Sequence, residues 1–307
     1  MMDYFRFKND KNEMMKTILI FGGSGFVGSN IAFQSKKMGF NVYVANRTHK
    51  EKLSDFNCLS CDITHLESIA PLINRIMPDI VVNTAAIADI DFAEKEKEIT
   101  RRINFESGVA IAKACSVHQI KYIFLSSDAV FDGNKSEYFE TDIPSPVNYY
   151  GQTKALAEKG IIEAYPQSVI VRISLVLGLP LDGGNSFVSD LKNKLQSGTE
   201  IYAPTDIVRT PVDVKTLSSA VIELGLSDFS GIIHIGGLEK INRYDLTRRL
   251  AKALGFEENK ILPTNSGERD SNKARRHKNG CLNVQKAVDM LKTKMLNMDS
   301  VIRNAVD

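Results

Sequence analysis

Apolar residues in the first half of the chain come in short, nearly unbroken runs, and between the runs they recur at helical spacing. "KTILIFGG" (16–23) is the first run and is closed by glycines. "NVYVANR" (41–47), "PDIVVNTAA" (78–86), "KYIFLSS" (121–127) and "QSVIVRIS" (167–174) repeat the form, and "CDIT" (61–64) ends a shorter one. Runs that are apolar at consecutive positions suit strands buried on both faces, as in a parallel sheet. Residues 27–38, 66–77, 98–117 and 150–164 carry the helical period. Strands alternating with helices in this way predict an α/β fold, a Rossmann-like doubly wound parallel sheet.

Past residue 174 the rhythm loosens. Residues 185–198, 213–226, 243–255 and 284–296 read as helices, and "GIIHIGG" (231–237) is a strand placed to rejoin the sheet. "GERDSNKARRHKNG" (267–280) is polar throughout and reads as a loop. The expected organisation is a flexible tail (1–15), a sheet domain (16–174 plus about 208–235) and a smaller C-terminal lobe (about 175–207 plus 236–307).

The chain has 307 residues and is 43% hydrophobic, enough for a large core. A net charge of +2 offers no basic excess for nucleic acid or an anionic membrane. No apolar run approaches the roughly 20 residues of a membrane helix. The start, "MMDYFRFKNDKNEMMK", lacks the apolar core of a secretory signal, and Met14 or Met15 is the alternative start. These features predict a cytoplasmic protein.

"FGGSGFVG" sets Gly22, Gly25 and Gly28 three apart, between a strand and a helix. Glycines there permit a tight turn and close approach to a pyrophosphate, and the helix N-terminus offers free N–H groups and a positive dipole end. Ser24, Phe26 and Val27 belong to the same turn. The second strand ends in "VANRTHK", with Asn46, Arg47 and Lys50 where an NAD site would carry an acid for the ribose 2′-hydroxyl. An arginine suits a 2′-phosphate instead, so NADP(H) is expected over NAD(H). Asp62 and Ile63 follow the third strand and are placed near the adenine.

"NYYGQTK" (148–154) holds two tyrosines and a lysine. Tyr150 and Lys154 are four apart and share a helix face, whereas Tyr149 does not. An ammonium beside the phenol favours phenolate and lowers its pKa. Ser126 and Ser127 end the fifth strand, at the sheet edge where ligands bind.

The glycine loop, "SSDAVFDG" and "YGQTK", in this order, resemble an extended short-chain dehydrogenase/reductase. "PDIVVNTAAIADIDFAE", "YFETDIPSPVNYYGQTKALAE", "VIVRISLVLG" and "RRHKNGCLN" extend the resemblance to the dTDP-4-dehydrorhamnose reductase family of sugar-nucleotide reductases, from residue 17 to about 290. It implies a catalytic set of Ser127, Tyr150 and Lys154. It implies cofactor contacts at Ala85, Ala86, Ile87 and Ser126, with Asn104 as the family's helix asparagine in a structural or water-relay role. It places Asp128, Asn185, Phe187 and Arg276 at the substrate, Arg276 on its phosphates. The sheet domain then binds NAD(P), and the lobe binds a nucleotide sugar. A homodimer is left open. Departures fall near the sugar and nucleotide: His277 replaces a proline, Asn283 an aspartate, Leu175 a tryptophan and Phe92 a lysine.

Other features read as structural. Cys58 and Cys61 have C-x-x-C spacing, with His65 nearby, but no second pair follows, so redox or zinc chemistry is not expected. Glu137, Glu140 and Asp142 read as solvated loop carboxylates without a metal, His234 as a core histidine, Arg172 as half of an ion pair, and Tyr149 as packing or cleft wall. The expected activity is NADPH-dependent reduction of a nucleotide-linked 4-keto-6-deoxy sugar. Two rivals stand beside it: an NAD(P)-dependent epimerase or dehydratase, and a non-catalytic NADP-binding subunit like that of methionine adenosyltransferase.

Overall fold

The structure is a computed structural model that describes residues 15–47, 56–181, 185–266 and 273–307. Expectations for the N-terminal tail through residue 14, for Lys50, and for residues 267–272 of the polar loop lie outside the described residues.

The main sheet uses β1 (Thr17–Phe21), β2 (Asn41–Asn46), β3 (Asn57–Ser60), β4 (Ile80–Asn83), β5 (Lys121–Ser127) and β6 (Val169–Ile173). After β7 (Val176–Leu177), β8 (Ile201–Pro204), β9 (Val208–Arg209) and β10 (Val212–Asp213), strand β11 (Gly231–Ile235) returns to it. The order is β11-β6-β5-β4-β1-β2-β3, with every pairing parallel. The order reverses between β1 and β4, which opens a crevice at their C-terminal ends.

Helices α1 (Phe26–Lys37), α2 (Ile69–Ile76), α3 (Ile90–Lys95), α4 (Lys97–Arg101), α5 (Ser107–His118) and α6 (Tyr149–Ala164) fill the connections, and α7 (Phe187–Gln196) and α8 (Val214–Gly225) follow. Alternate strand residues face opposite sides. Ile18, Ile20, Val82, Ile123 and Val171 pack on one side with Ile31 of α1 and Leu217 and Val221 of α8. Leu19, Phe21, Val81, Phe124 and Ile170 pack on the other with Ile73 of α2, Ile111 of α5 and Ile161 of α6. Each large apolar side chain buried this way contributes about 1.5–3 kcal/mol.

The remaining elements are β12 (Ile241–Asn242), α9 (Arg243–Ala253), β13 (Ile261–Thr264), β14 (Asn279–Gly280), α10 (Gln285–Met290) and α11 (Met298–Val306). Leu191 of α7, Leu246 and Leu250 of α9 and Val301 of α11 form a separate core. Strands β12 and β14 flank β9, and β13 pairs with β8.

Local structure departs from the sequence reading in three places. The third strand lies at Asn57–Ser60, so "CDIT" follows it rather than ending it. The helix expected over 98–117 begins at Lys97 and contains a π-turn at Arg102–Glu106. The helix expected over 284–296 is only Gln285–Met290, because Glu223 of α8 accepts the N–H groups of Lys292 (2.6 Å) and Thr293 (2.8 Å) and the Thr293 hydroxyl (2.7 Å). Those donors are thereby withdrawn from any further helical turn.

Candidate active site

The crevice between β1 and β4 begins at the glycine loop. Gly22 has φ +76°, and a Cβ there would lie 2.7 Å from the Ala85 nitrogen, so only glycine fits. Gly25 faces the open side, where an added Cβ would meet only the Gly22 oxygen, at 3.2 Å. Gly25 also caps α1, which has no side-chain cap and no acidic residue in its first turn. Free N–H groups, the positive end of the dipole and an open approach make this turn fit a dinucleotide pyrophosphate. Phe26 and Val27 begin the helix; Val27 packs against the sheet core instead of facing outward.

Asn46 is buried, and its Oδ1 accepts the Ser24 N–H at 2.8 Å. It therefore braces the glycine loop, whereas the sequence reading set it directly on the cofactor. Arg47, the next residue, is exposed. Asp62 accepts the N–H (3.0 Å) and hydroxyl (2.8 Å) of Thr64. These bonds, opposed by partial burial and aided by the charges of His65 and Arg47, hold its carboxyl below the usual range. Ile63 turns into the core, so the turn after β3 is shaped by both residues but offers mainly its backbone and the Asp62 edge.

After β4, Ala85 closes over Gly22, Ala86 is exposed and Ile87 is half-buried. Asn104, fully buried on the π-turn, accepts the Ile87 N–H at 2.8 Å and donates to the Ile87 carbonyl at 3.0 Å. Its amide also reaches the Thr153 hydroxyl at 3.2 Å. These bonds use its amide to clamp the β4 loop to α6, which corrects the expectation of a cofactor contact and agrees with a structural role. π-turns of this kind are frequent at functional sites.

Helix α6 carries Tyr150 to the end of β5. Asn148 caps it by accepting the Gly151 N–H at 2.8 Å. A Cβ at Gly151 would lie 2.1 Å from the Ala129 oxygen, so this glycine lets the helix press against the turn that follows Ser127. Tyr150 stands beside Ser127, whose hydroxyl opposes the burial-driven rise of the phenol's pKa. Ser127 also donates to Asp128 Oδ1 at 3.1 Å and accepts the Ala129 N–H at 3.1 Å. Tyr149 instead donates its backbone N–H to Glu94 at 2.7 Å and lies under the Lys97 ammonium.

Lys154 is 2% exposed, and its Nζ donates to the Leu125 carbonyl at 2.5 Å above the Phe124 ring. Burial pulls its pKa down to about 7, against the upward pull of Glu158. The expected lowering of the Tyr150 pKa by this ammonium is not found. Burial pushes the phenol up to about 12, the Ser127 hydroxyl opposes the rise, and Asp128 adds to it. The lysine is occupied under β5, and the charge that reaches the phenol is an aspartate. Ser126 is likewise redirected: its hydroxyl donates to Glu158 at 2.5 Å, inside the core and off the cofactor. Arg172 completes that cluster with a bond to Glu158 Oε2 at 2.7 Å.

Asp128 is the hub of a buried polar cluster. Its Oδ2 meets Arg209 Nε at 3.0 Å, the Ser174 hydroxyl at 3.3 Å and His277 Nε2 at 3.5 Å. Burial pushes its pKa up, but Arg209, His277 and the Ser127 hydrogen bond outweigh it and leave a carboxylate below the usual range. Arg209 went unnoticed in the sequence, where "VRTP" carries no periodic or spacing signal. Phe187 sits under the Arg243 guanidinium, 3.8 Å from its ring centre, and Asn185 is exposed just before α7. Arg276 does not stand free for a phosphate. It grips Asp91 through two bonds of 2.6 and 2.8 Å and donates to the Ala274 carbonyl at 2.6 Å. The Arg276 bonds lead, over partial burial, in holding the Asp91 carboxyl at about 2.

The loop carboxylates are latches, not solvated groups. Glu140 accepts the His234 N–H at 3.1 Å, Glu137 accepts from Asn283 at 3.0 Å, and Asp142 accepts from Lys135 at 2.6 Å. His234 is fully buried, and burial pulls its pKa down to about 3, so it is a neutral core histidine. Among the described residues no cluster of three or more His, Cys, Asp or Glu could hold a metal, and no helix is long and apolar enough to cross a membrane. Burial raises the pKa of both Cys58 and Cys61. A nucleophilic or metal-binding thiol needs the opposite shift. A Cys58→Ser/Cys61→Ser double variant is therefore expected to keep turnover within a few-fold of wild type, in a steady-state assay corrected for folded protein; complete loss in a folded sample would restore a redox or metal role.

Sheet order and glycine-loop crevice are those of a Rossmann-like doubly wound α/β fold. The chain belongs to the RmlD substrate binding domain family, whose profile matches residues 15–307. It is 30% identical over 247 residues to dTDP-4-dehydrorhamnose reductase of Escherichia coli strain K12, covering 78% of this chain and 77% of that one. It is 26% identical over 263 residues to methionine adenosyltransferase 2 subunit beta of Rattus norvegicus, covering 83% and 77%. Its fold matches the crystal structure of dTDP-4-dehydrorhamnose reductase from Bacillus anthracis in complex with NADP, with a TM-score of 0.84, 23% identity, and coverage of 95% of this chain and 99% of that one.

Proposed function

We propose that the protein is an NADPH-dependent reductase of a nucleotide-linked 4-keto-6-deoxy sugar. The observation that carries this reading is the placement of Tyr150 beside Ser127 at the C-terminal edge of β5, on the same crevice as a glycine loop open to a pyrophosphate. Family membership and the names of the reductase relatives support it. NADPH, when bound along the glycine loop and the Ala85–Ile87 turn, supplies a hydride to the ketone carbon. Tyr150, protonated throughout the neutral range, gives its phenolic proton to the ketone oxygen. Ser127 turns its hydroxyl from Asp128 to the developing alkoxide, which a preorganised donor stabilises. Lys154, one turn further along α6, is tied to the Leu125 carbonyl and fixes the helix that carries Tyr150 against β5. A panel of nucleotide-4-keto sugars with NADPH, read by loss of absorbance, tests the reading, and no turnover with any of them would overturn it.

The preference for NADPH rests on Arg47, exposed at the end of β2 with no carboxylate at that position. Arg47→Ala is expected to weaken NADPH binding about 10- to 100-fold and leave NADH nearly unchanged, because a charge-assisted phosphate contact is worth about 1.5–3 kcal/mol. Equal affinity of the wild type for both cofactors in fluorescence titrations would refute the preference.

A second reading is favoured by the similarity to methionine adenosyltransferase 2 subunit beta: an NADP-binding regulatory chain without turnover. Copurification with a partner enzyme, together with inactivity on every keto sugar, would select it.

A further inference from the structure

Among the described residues, Arg276 and Arg209 are spent on the protein itself. Arg276 is held by both oxygens of Asp91 and by the Ala274 carbonyl. Arg209, 9% exposed, binds Asp128 and the carbonyls of Val208, His277 and Lys278. Arg243 differs. It is half-buried, and among the described residues its guanidinium has no carboxylate or carbonyl partner; its only side-chain contact of this kind is the face of Phe187, 3.8 Å away.

That stack fixes the plane of the guanidinium while leaving its N–H edges unused. Phe187 opens α7 and Arg243 opens α9, so two packed helices hold the pair. Ile241 of β12 pairs with Arg209 of β9 and the Arg243 N–H donates to the Ile207 carbonyl at 2.9 Å, so Arg243 follows directly on the strand pair that carries Arg209, the partner of Asp128. Asp128 is already paired with Arg209, and the Arg243 guanidinium keeps its donors free beside that pair.

We propose that Arg243, seated on Phe187, is the anion anchor of the substrate cleft and takes the diphosphate of the nucleotide-linked substrate. This rests on the reductase reading and moves the phosphate contact from Arg276 to Arg243. A guanidinium fork matches two phosphate oxygens at once, and an arriving diphosphate would neutralise its charge. Burial, then the like charge of Arg209, bring the Arg243 pKa down to about 10 against the pull of Asp128, so it remains cationic at neutral pH.

The test is calorimetric titration of the full chain with dTDP and UDP, with thymidine and uridine as controls that lack phosphate. Wild type is expected to bind at least one diphosphate well above its nucleoside, with affinity falling as salt rises. Arg243→Gln is expected to weaken that diphosphate about 10- to 100-fold and leave the nucleoside and NADPH unchanged. Arg243→Lys keeps the charge without the fork, falls between the two, and decides the matter should Arg243→Gln melt early. Arg276→Gln is expected to cost less than Arg243→Gln. Unchanged diphosphate affinity in a folded Arg243 variant, or a loss equal for nucleoside and diphosphate, would overturn the anchor while leaving the reductase reading intact. A wild type that binds NADPH but neither dTDP nor UDP would overturn both.

Discussion

Tyr150→Phe is expected to slow carbonyl reduction by about 10²–10⁴-fold, the usual cost of removing a positioned acid. The ring stays, so the packing of α6 on the Ala129 turn and the binding of NADPH should survive. Tyr149→Phe should be mild, since the structure uses that residue through its backbone N–H to Glu94 and through its ring beside Lys97. The comparison is made by single-turnover kinetics with one accepted keto sugar. Because the phenol is held near 12, loss of activity through its ionisation belongs to strongly alkaline pH, and the profile should be free of it around neutrality. An inactive Tyr149→Phe beside an active Tyr150→Phe would show the wrong tyrosine to have been chosen.

Arg172→Met is expected to destabilise the fold by about 3–5 kcal/mol, because it strands the Glu158 carboxylate in the core. Arg172 is 1% exposed and Glu158 3%, and the pair lies under Ser126 at the end of β5. In thermal melting a loss of this size should lower the midpoint by about 5–15 °C. Removing both charges in Arg172→Met/Glu158→Leu should restore much of it, since apolar packing often replaces a buried pair at little cost. A single variant within about 1 kcal/mol of wild type would mean that Glu158 takes up a proton or finds Lys154 instead.

Much of the scaffold was legible in the sequence because it depends on local pattern. Apolar runs such as "TILIF" and "KYIFLSS" fix strands whose alternate residues must face two layers of helices, and both layers are there. The glycine loop was legible for the same reason: a strand, a turn that needs φ above zero at Gly22, and a helix start are neighbours in the chain. Tyr150 was separable from Tyr149 by helical spacing alone, and Arg172 was read correctly as half of an ion pair.

Side-chain commitments were a different matter. Asn46 braces Ser24, Asn104 clamps Ile87, Ser126 serves Glu158, and Lys154 points under β5 to Leu125. Asn46, Ser126 and Lys154 had been read as facing the cofactor or the phenol, because position at a sheet edge gives the neighbourhood of a group and not the direction of its donor. Glu140 and Glu137 looked solvated because their partners, His234 and Asn283, are far along the chain.

By itself, then, the sequence determined the parallel sheet, the phosphate turn, the Tyr150–Lys154 helix face and the family, all of which follow from periodicity and from residue types at short spacing. Only the tertiary structure decided which charges are already neutralised. Arg276 finds Asp91 across 185 residues, Arg209 finds Asp128, and Arg243 is left with an aromatic face. These choices separate alternatives that differ by about 1–3 kcal/mol, the size of a charge-assisted hydrogen bond. Helical or strand periodicity does not encode them; they are set when packing brings distant carboxylates and guanidiniums into one desolvated space.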